Sequence, residues 1–357
     1  MHSRFVSRIL PRALIREARL ESIESTYGSD KHGLVWAYRF ERDIAPVSIA
    51  SEESERWLDP SLQNATGSFL WLHFSLANAA SERWLRQQLN IPAVFFEALR
   101  EPAGSTRLEQ EAQSLVAVVH DAMFDFNFDA ESISTVYLYL DARLFVTVRL
   151  RPVRSLDRLR GAVRAGQTFR SPADLLAQLL RHQAGVLAEI VHVSARRVDV
   201  VEDGLLARRI PTSRRDLGAL RRTLVRLQRL LAPEPAALFR LLSRSPSWIR
   251  ADDLQELRQA TEEFSVTIAD SANLVERLKM LQEELAALVG EQTNRTLFLL
   301  TVVTVLALPV NLIAGLLGMN VGGIPFTGAY GFFWVVAGLC VFTVGAALVS
   351  RRLMGDG

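Results

Sequence analysis

The 357-residue chain is predicted to be an α+β membrane protein, with an α/β domain, long helical arms and two C-terminal transmembrane helices. Three observations predict this class. Short alternating apolar runs fill residues 33–150, the middle of the chain has helical periodicity, and two long uncharged segments lie near the C-terminus. The mean hydropathy of +0.14 is high for a chain of this size, and those two segments account for the excess.

The composition limits the chemistry that the chain can perform. Its 41 basic and 39 acidic residues give a net charge of only +2. Cys340 is the only cysteine, which excludes an intrachain disulfide and a cysteine-based zinc cluster. The first nineteen residues are rich in arginine and contain one acidic residue, so residues 1–32 are predicted to form a mobile basic leader.

Residues 33–150 are predicted to form the α/β domain. Two segments, 81–90 and 92–100, have helical patterns, and Asp141-Ala142-Arg143 suits a tight hairpin between two strands. The strands are predicted from runs rich in β-branched and aromatic residues: GLVWAYRF (33–40), GSFLWLHFSL (67–76), SLVAVVHDAMF (114–124), STVYLYLD (134–141) and RLFVTVRL (143–150).

Residues 151–250 are predicted to form helical arms. Helical periodicity begins after serine at residues 171 and 213 and continues to about residues 206 and 231. The segment 232–248 contains three prolines and is predicted to be a break between helices.

Residues 251–319 are predicted to be one stalk and pore helix. They contain no proline before Pro309, and a helix of this length spans about 100 Å at 1.5 Å per residue. Such a helix is too long for the core of a compact domain, so it is predicted to begin in water and end in a membrane. A heptad seam runs along it and is predicted to associate several copies of the chain: Leu274, Leu278, Leu281, Leu285 and Leu288.

Two uncharged segments, 297–317 and 330–349, are the predicted membrane spans. They contain 21 and 20 residues, each enough to cross about 30 Å of hydrocarbon, whereas a buried core helix is the alternative. Arginines flank both spans on the side away from the uncharged loop 320–329. The positive-inside rule therefore places both termini in the cytoplasm, including the tail 350–357, and places the loop outside.

The first span carries a polar stripe. Asn294, Thr301, Thr304 and Asn311 lie within about 100° of one another on a helix of 3.6 residues per turn. The stripe either makes helix–helix contacts or lines a water-filled pore, and a pore requires several copies of the chain. It is interpreted as a continuation of the leucine seam. The complete stripe consists of Asn294, Leu297, Thr301, Thr304, Leu308, Asn311, Gly315 and Gly318.

Gly318-Met319-Asn320, at the end of the first of two C-terminal spans, resembles the signature of the CorA-type divalent cation transporters. The loop VGGIP (321–325) and the upstream ATEEFSV (260–266) resemble the zinc-transporting ZntB branch. The resemblance implies a funnel-shaped homopentamer whose first spans line the pore. It also implies that Asn320 receives the hydrated ion at the outer mouth, that Gly318 and Met319 shape the turn, and that Leu297 and Leu308 are hydrophobic constrictions.

The predicted function is transport of divalent cations, with zinc as the ion that the resemblance implies. The external loop lacks the acidic residue that magnesium-transporting relatives usually carry. The stripe contains no histidine or cysteine, so its amide oxygens suit hydrated Mg²⁺, Co²⁺ or Ni²⁺ equally well. A Mg²⁺/Co²⁺ channel therefore stays open as an alternative. A membrane-anchored signalling or scaffold protein, which belongs to a different functional class, also stays open as an alternative.

The resemblance places the protein in the inner membrane of a bacterium, with lipid, divalent cations and copies of itself as partners. No cofactor and no nucleic-acid partner is predicted, although RRDLGALRRTLVRLQRLL (214–231) is a basic amphipathic helix. The sequence contains no nucleophile–base arrangement and no phosphate-binding loop, so no enzymatic activity is predicted. Between residues 296 and 350 there is no Asp, Glu, His, Lys or Arg to relay protons. A candidate cytosolic metal site is His120, Asp121, Asp125 and Asp129, and the alternative is a solvated acidic loop.

Overall fold

The computed structural model describes residues 28–42, 44–59, 67–101, 106–126, 132–207, 214–319 and 330–355. These form two compact units, Met1–Lys279 and Met280–Gly357. The strands are β1 Leu34–Glu41, β2 Ile44–Ile49, β3 Phe69–Ser75, β4 Arg107–Glu111, β5 Ser114–Ala122, β6 Ile133–Leu140 and β7 Leu144–Arg149. The helices are α1 Ser51–Leu58, α2 Ala80–Gln88, α3 Ala93–Arg100, α4 Arg154–Arg164, α5 Pro172–Leu206, α6 Arg214–Leu231, α7 Pro233–Ser243, α8 Ala251–Leu317 and α9 Gly331–Gly355.

The seven strands of the first unit form one mixed sheet in the order β2-β1-β3-β7-β6-β5-β4. The central strands β3 and β7 run parallel, with Leu72 opposite Val146 and His73 opposite Thr147. Every other pair is antiparallel. A parallel pair is stable when both of its faces are covered, and here β3 and β7 are buried almost completely along their length.

Helices cover the two faces of this sheet and create two hydrophobic cores. One core joins alternate strand residues such as Trp71 and Phe145 to α4, α5, α7 and the beginning of α8. The other joins the opposite strand faces to α1, α2 and α3, with Phe95 and Trp84 as large members. The result is a three-layer α/β arrangement, as the alternating apolar runs predicted.

A polar cluster lies inside the first core, between β3 and β7. Arg149 Nε donates to His73 Nε2 at 2.8 Å, so the ring proton is on Nδ1, which donates to Thr147 Oγ1 at 2.7 Å. The same hydroxyl oxygen accepts from Trp71 Nε1 at 3.0 Å. Burial, followed by the charge of Arg149, lowers the pKa of His73 well below its ordinary value. His73 is therefore neutral and holds the central strands in one register.

The predicted hairpin at Asp141 is confirmed. Asp141 Oδ1 accepts from the backbone nitrogens of Arg143 and Leu144, each at 2.8 Å, and β6 and β7 pair on either side. Two strands, β2 and β4, were not predicted. Both lie at edges of the sheet, where half of their backbone hydrogen bonds face solvent, and their side chains are mostly exposed, so neither has a continuous apolar run.

The prediction of a break at 232–248 is wrong, because α7 occupies Pro233–Ser243. Pro233 and Pro235 lie in its first turn, where the backbone N–H groups have no helical partner and a missing donor costs nothing. Only Pro246 falls in the connection to α8. Proline content alone could not distinguish a helix start from a helix break.

The second unit consists of the C-terminal part of α8 and α9. Large apolar side chains are exposed around α8 beyond Leu297, and Phe332, Phe333 and Trp334 are exposed at the beginning of α9. An exposed surface that is apolar on all sides is not a water-facing surface. Pro309 lies within α8 and removes one backbone donor from the helix.

We predict that Thr147→Val destabilises the first unit by about 2 to 4 kcal/mol, because it leaves the buried N–H groups of Trp71 and His73 without an acceptor. Thr147→Ser is the matched control, since it keeps the hydroxyl and should retain most of the stability. Thermal unfolding of the detergent-solubilised protein, followed by tryptophan fluorescence, measures the difference. Unchanged stability in Thr147→Val, with a loss in Thr147→Ser, would show that packing of the methyl group, and not the hydrogen bonds, explains the effect.

Candidate functional site

The predicted stripe lies on α8, and all of its members between residues 294 and 315 have exposed side chains or backbone. The two proposed constrictions, Leu297 and Leu308, are 55% and 68% exposed. The polar members between them are Thr301 and Thr304. The stripe is therefore a free surface of this chain, with no contact that would occupy it within the described residues.

The threonine hydroxyls of the stripe donate to their own helix. Thr301 Oγ1 donates to the carbonyl of Leu297 and Thr304 Oγ1 to that of Leu300, each at 2.9 Å. A hydroxyl has one proton and two acceptor lone pairs, so each threonine uses its only hydroxyl proton in this hydrogen bond. These groups can therefore only accept hydrogen bonds, or coordinate a cation, from outside the helix.

The asparagine side chains of the stripe are unoccupied by intrachain contacts. Within the described part of the chain, the carboxamides of Asn294 and Asn311 form no hydrogen bond, and both residues are exposed. Glu283 lies eleven residues before Asn294, about three turns along the helix, and its exposed carboxylate points to the same side. Sequence analysis missed Glu283, although extending the stripe backwards by three turns would have found it.

The prediction that the leucine seam associates copies of the chain is wrong for most of its members. Leu274, Leu278, Leu281 and Leu285 are 5%, 0%, 3% and 2% exposed within a single chain. The interpretation of the stripe as a continuation of the seam is also wrong. On a 3.6-residue helix Asn294, Leu297 and Thr301 lie about 120° to 180° away from Leu281 and Leu285.

The seam side of α8 is further attached to α5 by ion pairs. Arg277 donates to Asp199 at 2.7 Å and also pairs with Glu202. The burial of the leucines and these ion pairs show that the heptad pattern arises from packing of α8 within a single chain. Among the described residues, Asn294, Leu297 and Thr301 on the opposite side of the helix are exposed.

A short turn follows the end of α8 at Gly318 and Met319. The helix ends at Leu317, the backbone nitrogen of Gly318 donates to the carbonyl of Ala314 at 3.0 Å, and Met319 is half exposed. A β-carbon at Gly318 would lie 3.3 Å from the Ala314 oxygen, which is a tight contact. Asn320, the predicted mouth residue, lies outside the described residues together with the loop 320–329.

Within the described residues, one helix is long and apolar enough to cross a membrane, over Ala251–Leu316, and its apolar segment is not buried. This agrees with the first predicted span. The apolar part of α9 is Gly331–Ala346, which is shorter by the same criterion. The second span therefore stays a prediction.

The candidate metal residues of the first unit are not brought together as a cluster in the part of the chain that is described. His120 and Asp121 are buried on β5, and Asp121 accepts hydrogen bonds from Ser155 at the start of α4. Asp125 is exposed, and Asp129 lies outside the described residues. Asp121 thus has a structural partner, and the four-residue metal site stays a prediction.

The family of the chain follows from its match to a known sequence pattern. The model of a family described as CorA-like Mg²⁺ transporter protein matches residues 66–350, most of the chain. The chain belongs to the CorA family. The predicted resemblance of the chain to that family is thereby confirmed, whereas the role of Gly318-Met319-Asn320 stays a prediction.

Two kinds of CorA-family relatives are similar along most of the chain. The divalent cation transporter CmaX of Pseudomonas aeruginosa is 28% identical over 340 residues, which cover 91% of this chain and 97% of CmaX. The zinc transport protein ZntB of Yersinia enterocolitica is 24% identical over 278 residues, which cover 78% of this chain and 85% of ZntB. The names of these relatives describe transporters and not enzymes.

Solved structures of the CorA family have the same fold. Full-length CmaX matches with a TM-score of 0.74 and 25% identity, over 92% of this chain and 99% of CmaX. The CorA magnesium transporter of Methanocaldococcus jannaschii matches with a TM-score of 0.72 and 18% identity, over 88% of this chain and 97% of that chain. The combination of an α/β domain with one long helix is therefore a CorA-like fold.

We predict that Leu278→Ala lowers the stability of the protomer by about 2 to 5 kcal/mol, because it opens a cavity at a fully buried site. Met280→Ala is the matched control on the same helix, where the side chain is 56% exposed and should cost about 0.5 kcal/mol or less. Thermal unfolding in detergent measures both. A change in oligomer size without a change in unfolding temperature would instead assign the seam to contacts between copies.

Proposed function

We propose that the chain transports divalent cations across a membrane, with zinc as the principal ion, through a pore lined by the exposed stripe of α8. The observation that carries this proposal is the position of the stripe, opposite the side of α8 that is buried within the chain. Membership of the CorA family and the names of CmaX and ZntB support it. An anchoring helix needs no exposed Asn311 or Thr304 in an otherwise apolar segment.

A pore requires several copies of the chain, because two spans cannot enclose a path for water. We propose a homopentamer in which α8 of each copy faces the axis and the second span, residues 330–349, surrounds it. The exposed aromatic residues Tyr330, Phe332, Phe333 and Trp334 suit the outer boundary of a bilayer. Both termini are proposed to lie in the cytoplasm of a bacterium, beneath its inner membrane.

The ion would first meet five Asn320 carboxamides at the outer mouth, with water still attached. It would then pass Asn311, the Leu308 constriction and the two threonine layers. The threonine oxygens favour cations because their protons are held by Leu297 and Leu300 carbonyls, which leaves acceptors facing the axis. Beyond Leu297 the ion would reach Asn294 and then Glu283, whose charge attracts a cation to the cytoplasmic end.

The driving force for inward movement is electrical. A double charge that crosses a potential of 100 mV gains about 4.6 kcal/mol. Because residues 296–350 contain no Asp, Glu, His, Lys or Arg, the spans offer no side-chain route for a coupled proton. Transport is therefore proposed to be channel-like within the spans, and any proton coupling would have to use water or residues of the first unit.

Zinc is proposed from the likeness to ZntB and from the absence of an acidic residue in the loop 320–329. The stripe itself offers oxygen ligands, which suit hydrated ions and do not distinguish zinc from magnesium. Uptake into proteoliposomes, with Zn²⁺ and Mg²⁺ compared under an imposed voltage and under a pH gradient, separates the ions. Flux of Mg²⁺ in preference to Zn²⁺ would replace zinc by magnesium in this proposal.

We predict that Asn320→Ala reduces Zn²⁺ uptake by about tenfold, the equivalent of about 1.4 kcal/mol, because it removes the ring of carboxamides at the mouth. Asn273→Ala, an exposed position on α8 far from the spans, is the control. Size-exclusion chromatography of both variants checks that assembly is intact. Unchanged uptake in Asn320→Ala would contradict the transport role and favour a membrane-anchored signalling or scaffold protein.

We predict that Thr304→Val slows uptake, whereas Thr304→Ser preserves it, since only valine removes the acceptor oxygen. The same comparison at Thr301 should give the same order. Initial rates of Zn²⁺ uptake measure the effect at several zinc concentrations. Equal rates for valine and serine would mean that these hydroxyls serve helix geometry and not the passing ion.

A further inference from the structure

A groove with an apolar lining and a basic rim lies between α5 and α6 of the first unit. It is partly open to solvent, and its volume of about 570 Å³ falls in the range of about 300–1,000 Å³ that is typical of small-molecule sites. Its lining covers residues 193–201 of α5, which is about 12 Å of helix. The residues that line the groove are Val193, Arg196, Arg197, Val200, Val201, Leu217 and Leu220.

The groove follows from the helical period of α5. Val193 and Val200 are seven residues apart and therefore share one side of the helix. Arg196 and Arg197 lie between them on the same side, and both are exposed. Val200 is 71% exposed, whereas the two leucines that α6 contributes are buried. The apolar lining therefore extends from the interior of the unit to its surface, where it meets two positive charges.

The acidic residues of this part of α5 do not neutralise the rim of the groove. Asp199 and Glu202 lie on the side of α5 that pairs with Arg277 of α8. Asp203 is exposed, and it is seven residues and about 10 Å along the helix from Arg196. Within the part of the chain that the structure describes, Arg196 forms no ion pair and no hydrogen bond. The rim therefore carries a guanidinium that is available to an anion from outside the chain.

This combination of groups suits a ligand that is both anionic and apolar. A guanidinium donates two parallel hydrogen bonds to a carboxylate, and valine and leucine side chains favour an acyl chain through the hydrophobic effect. A small inorganic anion would leave the apolar lining in contact with water, and a neutral apolar ligand would leave Arg196 without an anion. The volume of the groove suits one acyl chain and not the two chains of a bilayer phospholipid.

We propose that the groove between α5 and α6 binds a single-chain anionic amphiphile of the medium-chain fatty acid class. Its carboxylate pairs with Arg196, and its chain packs against the valines of α5 and the leucines of α6. The second arginine of the rim adds positive charge at the same end of the ligand. This inference concerns the first unit alone and does not depend on which ion the protein transports.

The experiment is photo-labelling of the full-length protein in nanodiscs of zwitterionic phosphatidylcholine, which supply no competing anionic lipid. The probe is decanoic acid with a diazirine on its chain, and peptide mass spectrometry identifies the labelled positions. In the wild type, labels should fall within residues 193–201 and 217–220, and an excess of dodecanoate should displace them. The corresponding diazirine alcohol lacks the carboxylate and should label these residues about tenfold less.

Three variants test the two parts of the site. Arg196→Gln removes the charge of the rim and should reduce labelling about tenfold. Arg226→Gln makes the same change at an exposed position of α6, on the side away from its buried leucines, and is the matched control. Val200→Glu places a carboxylate in the groove at an exposed position, so the fold should tolerate it and labelling should be lost. Thermal unfolding checks that each variant is folded.

The proposal is supported if Arg196→Gln and Val200→Glu reduce the displaceable label while Arg226→Gln leaves it unchanged. Equal losses in Arg196→Gln and Arg226→Gln would overturn it, because the probe would then follow the general positive charge of the two helices, as an anionic bilayer surface would. Absence of displaceable label from the wild-type groove would also overturn it, since the groove would then be closed to amphiphiles, as it would be beneath a protein segment.

Discussion

The rotational position of α8 about its own axis is the constraint on which the proposed pathway depends. Leu281 and Leu285 are buried on one side of the helix, whereas every residue from 291 to 300 is exposed. Helical geometry then presents Asn294, Leu297 and Thr301 on the opposite side. A helix with the same residues but no buried seam could rotate freely, and its polar stripe would have no defined direction. The leucines therefore serve the candidate pathway without being part of it.

The exposed stripe of α8 combines two kinds of polar group that differ in their hydrogen bonds. The carboxamides of Asn294 and Asn311 form no hydrogen bond within the described residues, whereas the hydroxyls of Thr301 and Thr304 donate to backbone carbonyls about one turn earlier in the helix. Both arrangements leave oxygen acceptors exposed, and Glu283 adds a full negative charge on the same side. A surface of acceptors without histidine, cysteine or a cation suits hydrated divalent ions, and it explains why these side chains alone do not select zinc over magnesium.

The first unit uses buried polar groups for positioning. His73, Thr147 and Trp71 hold the parallel strands β3 and β7 in register, and neutral His73 accepts from Arg149 without bringing in a second charge. At the end of β5, Asp121 attaches α4, and Gln183 links Glu234 to the strand. Polar contacts of this kind are costly to leave incomplete, so they favour one arrangement of sheet and helices.

Local patterns in the sequence determined the strands of the central sheet, the hairpin at Asp141, the apolar segment of α8 and the members of its stripe, because these depend on neighbouring residues and on helical or strand period. Tertiary structure decided the rest. The edge strands β2 and β4 form only because a partner strand lies beside them, and α7 tolerates Pro233 and Pro235 because both fall in its first turn. The heptad leucines are periodic whether they join copies or fold one chain, and only their burial within the chain distinguishes the two. Likewise, the sequence shows that Asp121 and Glu234 are acidic, but they lie 113 positions apart, and only folding buries both of them within the first unit.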